Sequence, residues 1–194
     1  GIKQSVELST RAISSVAPNE GKSFTAINLS ITVAQQKANV LLVDADLRRG
    51  VLHNTFNTTK KPGLSNYLTG VVPVENIINS TYIPHLSMIS CGSLLPNPSE
   101  LLGSARMKEF VKVVRDQFDV VIFDTPPLMA ATDAVILSTL VDGVTILLRA
   151  EMTNREDVST KLELFDNLQS NILGFILNCS EVDVAHKGYS YYHY

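Results

Sequence analysis

The chain has 194 residues, 45% of them apolar and 18% charged, and carries a formal charge of −3. That suffices for one α/β domain with a substantial core, and it excludes a disordered chain and a basic nucleic-acid-binding surface. No apolar run approaches the roughly 20 residues that span a bilayer; the longest, 130–148, is broken by Asp133, Asp142 and Gly143. The opening Gly1-Ile2-Lys3 has no methionine, so the sequence reads as a processed product or part of a longer polypeptide, with any membrane attachment lying outside it. Cys91 and Cys179 match no metal-ligand spacing and, beside apolar runs, read as reduced core thiols.

In chain order, short β-rich apolar runs fall at 12–16, 40–43, 86–90, 120–123, 144–148 and 172–177. Between the first two, 22–36 carries Phe24, Ile27, Leu29, Ile31 and Val33, the pattern of a largely buried helix. The stretch 100–118 follows Pro98 and Ser99 and repeats apolar residues at Leu102, Met107, Phe110, Val111 and Val114, which predicts one helix; 154–168 reads the same way. Strand–helix alternation with strands this apolar predicts a single α/β domain, a mostly parallel sheet with helices on both faces. The domain is expected over 1–183, with a tail at 184–194 that has no periodic apolar face.

The first constellation with chemistry is Val16-Ala17-Pro18-Asn19-Glu20-Gly21-Lys22-Ser23, between a strand and a helix. A loop of this kind wraps its backbone N–H groups around phosphate, with Gly21 permitting close approach, Lys22 reaching the β- and γ-phosphates and Ser23 ligating Mg²⁺. Pro18, Asn19, Glu20, Gly21, Lys22, Ser23 and Phe24 are the nucleotide-binding candidates. Val16 stands where the full motif has glycine, and a bare Gly-Lys-Ser is more often an ordinary turn opening a helix; the strand–loop–helix setting favours phosphate. The second and third constellations are Asp44-Ala45-Asp46-Leu47-Arg48 and Asp124-Thr125-Pro126-Pro127, each after a buried strand. Asp44, Asp46 and Asp124 fall at carboxyl ends of strands, where open α/β sheets bind ligands, and hard oxygen donors suit Mg²⁺. Singly, each aspartate is more often a turn or cap residue; together with Lys22 and Ser23 they point to a P-loop NTPase-like site.

These three segments resemble the Walker A, Walker A′ and Walker B motifs of the bacterial tyrosine kinases (BY-kinases) of exopolysaccharide and capsule synthesis. The similarity extends through 63–70, 96–102 and 174–178, and the Asp-x-Asp-x-Arg spacing is its most specific part. Four of the six tyrosines, Tyr189, Tyr191, Tyr192 and Tyr194, crowd the last six residues, resembling the family's C-terminal cluster that neighbouring subunits autophosphorylate in trans. The resemblance implies ATP and Mg²⁺ as cofactors. It makes Lys22, Asp44, Asp46 and Arg48 the catalytic candidates, Lys22 on the transferring phosphate and Asp44 as acceptor of the tyrosine proton. Ser23, Asp44, Asp46 and Asp124 would organise Mg²⁺, directly or through water. Arg48 would steady substrate or neighbouring-subunit charge, with a surface salt bridge as the alternative, and Asn178 would meet adenine, with a loop-capping asparagine as the alternative. The implied partners are a membrane-embedded activator (separate or upstream in the same chain), neighbouring subunits in a ring and a phosphotyrosine phosphatase, with no nucleic acid. The implied location is the cytoplasmic face of the bacterial plasma membrane.

The family's Glu/Arg-rich oligomerisation helix precedes this region, and Glu7 and Arg11 do not reproduce its spacing. Residues 11–18 also look short for a first strand. Two other readings stay open. A ParA/MinD-like ATPase shares the loop, but Ala17 stands where that class has its signature lysine. A nucleotide-binding, non-enzymatic regulator of polysaccharide machinery would keep the same motif residues.

Overall fold

The computed structural model describes residues 9–166, 168 and 170–180; the tail tyrosines lie outside the described residues. Seven strands form one sheet: β1 (Thr10–Ser15), β2 (Val40–Asp44), β3 (Asn79–Ser80), β4 (Leu86–Ile89), β5 (Val120–Asp124), β6 (Gly143–Arg149) and β7 (Ile172–Asn178). Their order is β3-β4-β2-β5-β1-β6-β7, parallel throughout except for the short antiparallel β3. The six apolar runs are the six parallel strands, and β2 is buried along its whole length, as a sheet covered on both faces requires. β1 has six residues and pairs with both β5 and β6, so the first strand is of ordinary length.

The helices are α1 (Lys22–Gln35), α2 (Leu52–Thr55), α3 (Leu64–Leu68), α4 (Pro98–Leu102), α5 (Ala105–Gln117), α6 (Asp133–Ser138) and α7 (Arg155–Leu162). Alternate strand residues feed two cores. Leu41, Val43, Val121 and Phe123 pack with Met107, Phe110, Val111 and Val114 of α5 on one face; Val40, Leu42 and Ile122 pack with Ala26 and Ala34 of α1 on the other. Among the described residues no helix is long and apolar enough to cross a membrane.

Four further expectations change. The helix predicted over 100–118 is two helices, because Gly103 closes α4 and the Ser104 hydroxyl accepts the Met107 N–H as the cap of α5. Helix α1 is not largely buried: it lays a stripe of small residues, Ala26, Ser30 and Ala34, on the sheet while Phe24 is 70% exposed. Small side chains let the helix approach its strands closely, so the larger apolar residues flank the contact. Beyond α7 the helix predicted to 168 gives way to a 3-10 turn at Glu163–Phe165. Of the two cysteines, Cys91 is buried but Cys179 is exposed.

The strand starts are tied by polar bonds. Asp142, just before β6, accepts the Thr10 N–H and hydroxyl at 2.8 Å each and the Arg115 guanidinium at 2.7 Å. Partial burial alone would raise its pKa, yet the Thr10 donors and Arg115 hold it below the usual carboxylate value. A depressed pKa adds stability that is present above the unfolded value and lost as pH falls through the folded one. Asp142→Asn is therefore expected to lower stability by about 1–2 kcal/mol at pH 7. Most of this comes from the Thr10 bonds, because Arg115 is 41% exposed and screened. Urea melts should show the difference shrinking as pH falls below the ordinary carboxylate value of 3.8.

Candidate active site

The site lies at the carboxyl ends of β1, β2 and β5, the three central strands. The loop after β1 reverses through Asn19 (φ 63°) and Gly21 (φ 97°), both left-handed, and opens α1 with no side-chain cap on Gly21. The first-turn N–H groups of α1 are thus left to a ligand, and the helix dipole favours an anion there. A Cβ at Gly21 would run into the Asn178 side chain, so glycine is required on both counts.

Side chains brace this loop from beneath. Glu20 is buried; its carboxylate accepts the Ala17 N–H at 2.9 Å and the Thr153 hydroxyl. Asn178, at the end of β7, donates its amide to the Glu20 carbonyl at 2.9 Å and accepts the Cys179 N–H at 2.9 Å. The Arg149 guanidinium, at the end of β6, donates to the Asn19 carbonyl at 3.0 Å. Glu20 and Asn178 therefore serve the loop's own framework here.

Lys22 leans into the acidic strand ends. Its ammonium lies 3.7 Å from Asp124, 4.0 Å from Asp46 and 3.3 Å from the Ser23 hydroxyl. Asp44 and Asp124 are register partners on neighbouring strands, both buried, each with one carboxylate oxygen lacking any hydrogen-bond donor. Burial first, and the Asp124 charge second, push Asp44 up to about 7; burial likewise raises Asp124, against the opposing pull of Lys22 and the Ser23 hydroxyl. One lysine thus faces three carboxylates, an excess of negative charge that a divalent cation would relieve. Among the described residues no three His, Cys, Asp or Glu side chains form a metal cage. Mg²⁺ bound with nucleotide takes one or two carboxylates plus phosphate oxygens and waters, which these orphaned oxygens and Ser23 fit.

The two Walker A′ aspartates differ in setting. Asp46 borders a cleft of about 520 Å³ whose walls are Pro18, Asn19, Lys22, Arg48, Val51 and Pro127 among others; its Oδ1 accepts the Arg48 and Arg49 N–H groups at 3.2 and 2.8 Å. Asp44 has no exposed surface and accepts the Leu52 N–H at 3.1 Å. Behind it Gly50 is packed so closely that a Cβ would come within 2.6 Å of both Asp44 oxygens. Arg48 lines the cleft with part of its side chain, but its guanidinium is engaged by Asp133 and Ser99. Phe24 lies on the solvent side of α1. The sequence reading grouped Lys22, Ser23, Asp44, Asp46 and Asp124, and these lie together in space. It missed Asp133, Ser99, Arg149 and Thr153, whose only signal was polarity at helix starts and strand ends.

The family model for an AAA domain matches residues 12–176. The tyrosine-protein kinase YwqD of Bacillus subtilis is 38% identical over 93% of this chain and 76% of its own length. The tyrosine-protein kinase ptk of Acinetobacter johnsonii is 41% identical over 91% of this chain, which spans only 24% of that longer protein. Among solved structures, the kinase domain of the Escherichia coli tyrosine kinase ETK superposes with a TM-score of 0.87 at 34% identity, covering 97% of this chain and 73% of that one. The matched region carries the phosphate loop and Asp44, Asp46 and Asp124 at the ends of β2 and β5, so the chain belongs to the AAA-domain family of P-loop proteins and, within it, to the bacterial tyrosine-protein kinases.

Proposed function

We propose that the chain is an ATP-dependent protein tyrosine kinase domain, residues 1–183, that phosphorylates the 184–194 tail of a neighbouring subunit. The observation that carries this reading is the Lys22 ammonium set between Asp46 and Asp124 at the open N-terminus of α1. The names of its relatives support transfer to tyrosine over the hydrolysis of a ParA/MinD-like ATPase. In the proposed reaction a tail phenol oxygen attacks the γ-phosphorus, the bond to the β-phosphate oxygen breaks, and ADP leaves. The backbone N–H groups of 19–23 hold the phosphates, and Lys22 neutralises charge on the transferring group. Mg²⁺, held by Ser23 and Asp124 with Asp44 and Asp46 directly or through water, would add charge neutralisation. The tyrosine proton goes to a carboxylate. Its position on the cleft favours Asp46 over the fully covered Asp44, which the family resemblance had suggested.

The likeness to capsule-region kinases supports a role in exopolysaccharide or capsule production at the inner face of the plasma membrane. A membrane-embedded activator, subunit rings and an opposing phosphotyrosine phosphatase belong to the same proposal. The test is incubation with ATP and Mg²⁺, with and without the activator's cytoplasmic segment, followed by peptide mass spectrometry. Phosphate is expected on Tyr189, Tyr191, Tyr192 or Tyr194 and is absent when all four are phenylalanine. ATP bound with no phosphate on the tail, with the activator present, would favour the nucleotide-binding regulator instead.

A further inference from the structure

Asp133 is fully buried at the first position of α6, ten or so residues beyond β5, and nothing in the reaction above uses it. Its carboxylate receives the Arg48 Nε at 3.2 Å, the Arg48 Nη2 at 3.4 Å and the Ser99 hydroxyl at 2.6 Å. Arg48 Nη2 also donates to the Ser99 oxygen at 2.9 Å. The three side chains close a triangle that joins the turn after β2, the start of α4 and the start of α6. The fork of a guanidinium on a buried carboxylate fixes direction as well as distance. The turn so gripped is the one whose N–H groups, at Arg48 and Arg49, hold the Asp46 carboxylate at the cleft mouth.

We propose that Asp133 and Ser99 are positioning residues. By clasping Arg48 they set the 46–49 turn and aim Asp46 at the cleft. The clasp also ties the loop after β2 to the segment after β5, which runs along the phosphate loop through Leu128 N–H to Ser15 O (2.8 Å) and Met129 N–H to Val16 O (3.0 Å). The two loops that flank Lys22 are thereby held to one geometry. Arg48 accordingly acts inward on the enzyme, through the ion pair that stood as the alternative to substrate contact. The catalytic half of this inference rests on the proposed kinase function; the structural half does not.

The test compares wild type with Asp133→Asn, Ser99→Ala and Arg48→Lys. Amide hydrogen exchange at residues 48 and 49 is read without nucleotide. Fluorescent-ADP affinity and the kcat and KM for tail phosphorylation are read with Mg²⁺. Asp133→Asn and Arg48→Lys are expected to speed exchange at 48–49 at least tenfold and to lower kcat about 10–100-fold, with ADP affinity within about threefold of wild type. Ser99→Ala, which leaves the ion pair, should change both in the same direction by about threefold. The Arg48→Lys, Asp133→Asn double variant should be no worse than either single one. Unchanged exchange at 48–49 in folded Asp133→Asn or Ser99→Ala would overturn the clasp. Faster exchange spread evenly over the whole domain, with ADP affinity falling alongside kcat, would overturn it too, because it would mark general destabilisation. If wild type transfers no phosphate, the kinase reading fails, and the exchange measurement alone then decides the clasp.

Discussion

Lys22→Met is expected to reduce phosphate transfer to the tail at least about a thousandfold and to weaken nucleotide binding about a hundredfold. The reason lies in the charge inventory. Lys22 is the cation within 4.0 Å of both Asp46 and Asp124, so its removal deletes the charge that meets the phosphates and leaves three carboxylates facing an anion. Methionine keeps most of the length and the apolar stem, so the loop's backbone cradle survives while the electrostatics do not. The same change should destabilise the nucleotide-free protein, and the sign of its pH dependence follows from the raised carboxylates. Without Lys22, Asp124 and Asp44 move further up; groups with raised folded-state pKa values favour folding when protonated, and that contribution is lost as pH rises. The variant should therefore lose more stability at pH 8 than at pH 5. Isothermal titration with ATP and thermal melts at the two pH values read the two effects separately; nucleotide affinity equal to wild type would remove Lys22 from the phosphate site.

Asp44→Asn should do the opposite to stability and the same to activity. Asp44 is fully covered, lies beside Asp124 and has an oxygen with no donor, so its charge is a cost to the nucleotide-free fold. With a folded pKa of about 7 against 3.8 unfolded, the protonated form is the one the fold prefers. That preference is complete below about 4 and gone above about 7. Asparagine is neutral throughout, so its advantage should grow across that window and level off near pH 8 at about 2 kcal/mol, or about 5 °C in melting temperature. Phosphate transfer should fall at least about tenfold, because the charge that disfavours the empty site is the charge that attracts Mg²⁺. Melting curves at pH 5 and pH 8 check the first part, and initial rates over a Mg²⁺ series check the second. A variant less stable than wild type at pH 8 would show that Asp44 is compensated by groups outside this cluster. The pair of variants illustrates a site built against the stability of its own fold.

The parallel sheet was legible because strands buried on both faces leave unbroken apolar runs, and 40–43 and 120–123 could hardly be anything else. Asp44, Asp46 and Asp124 were legible for the same reason, since a carboxylate at the end of such a run must sit at the sheet's carboxyl edge. What stayed hidden has a common character. The two-residue β3 has no pattern of its own and exists only through its pairing with β4. The break at Gly103-Ser104 was concealed by apolar spacing that continues across it in phase. The Arg48–Asp133–Ser99 triangle joins residues 85 and 34 positions apart, and one sequence holds no record of which polar side chains meet across such distances. Burial of α1 was overestimated because helical periodicity marks Ile27 and Val33 as apolar, whereas they pack on the core only partly buried and the fully buried positions are Ala26, Ser30 and Ala34.

β1 carries a consequence for how this domain comes into being. It is made before the other six strands of its sheet, yet its neighbours there are β5 and β6, with Thr10 against Val121 and Arg11 against Gly143. Loops this long close slowly, and a strand whose partners are still unmade has nothing to pair with. Lys22 and its loop therefore gain a rigid backing only after Val120–Asp124 has been synthesised and inserted beside β1. During synthesis, nucleotide-binding competence should arrive in one late step, well after the phosphate loop's own residues are exposed.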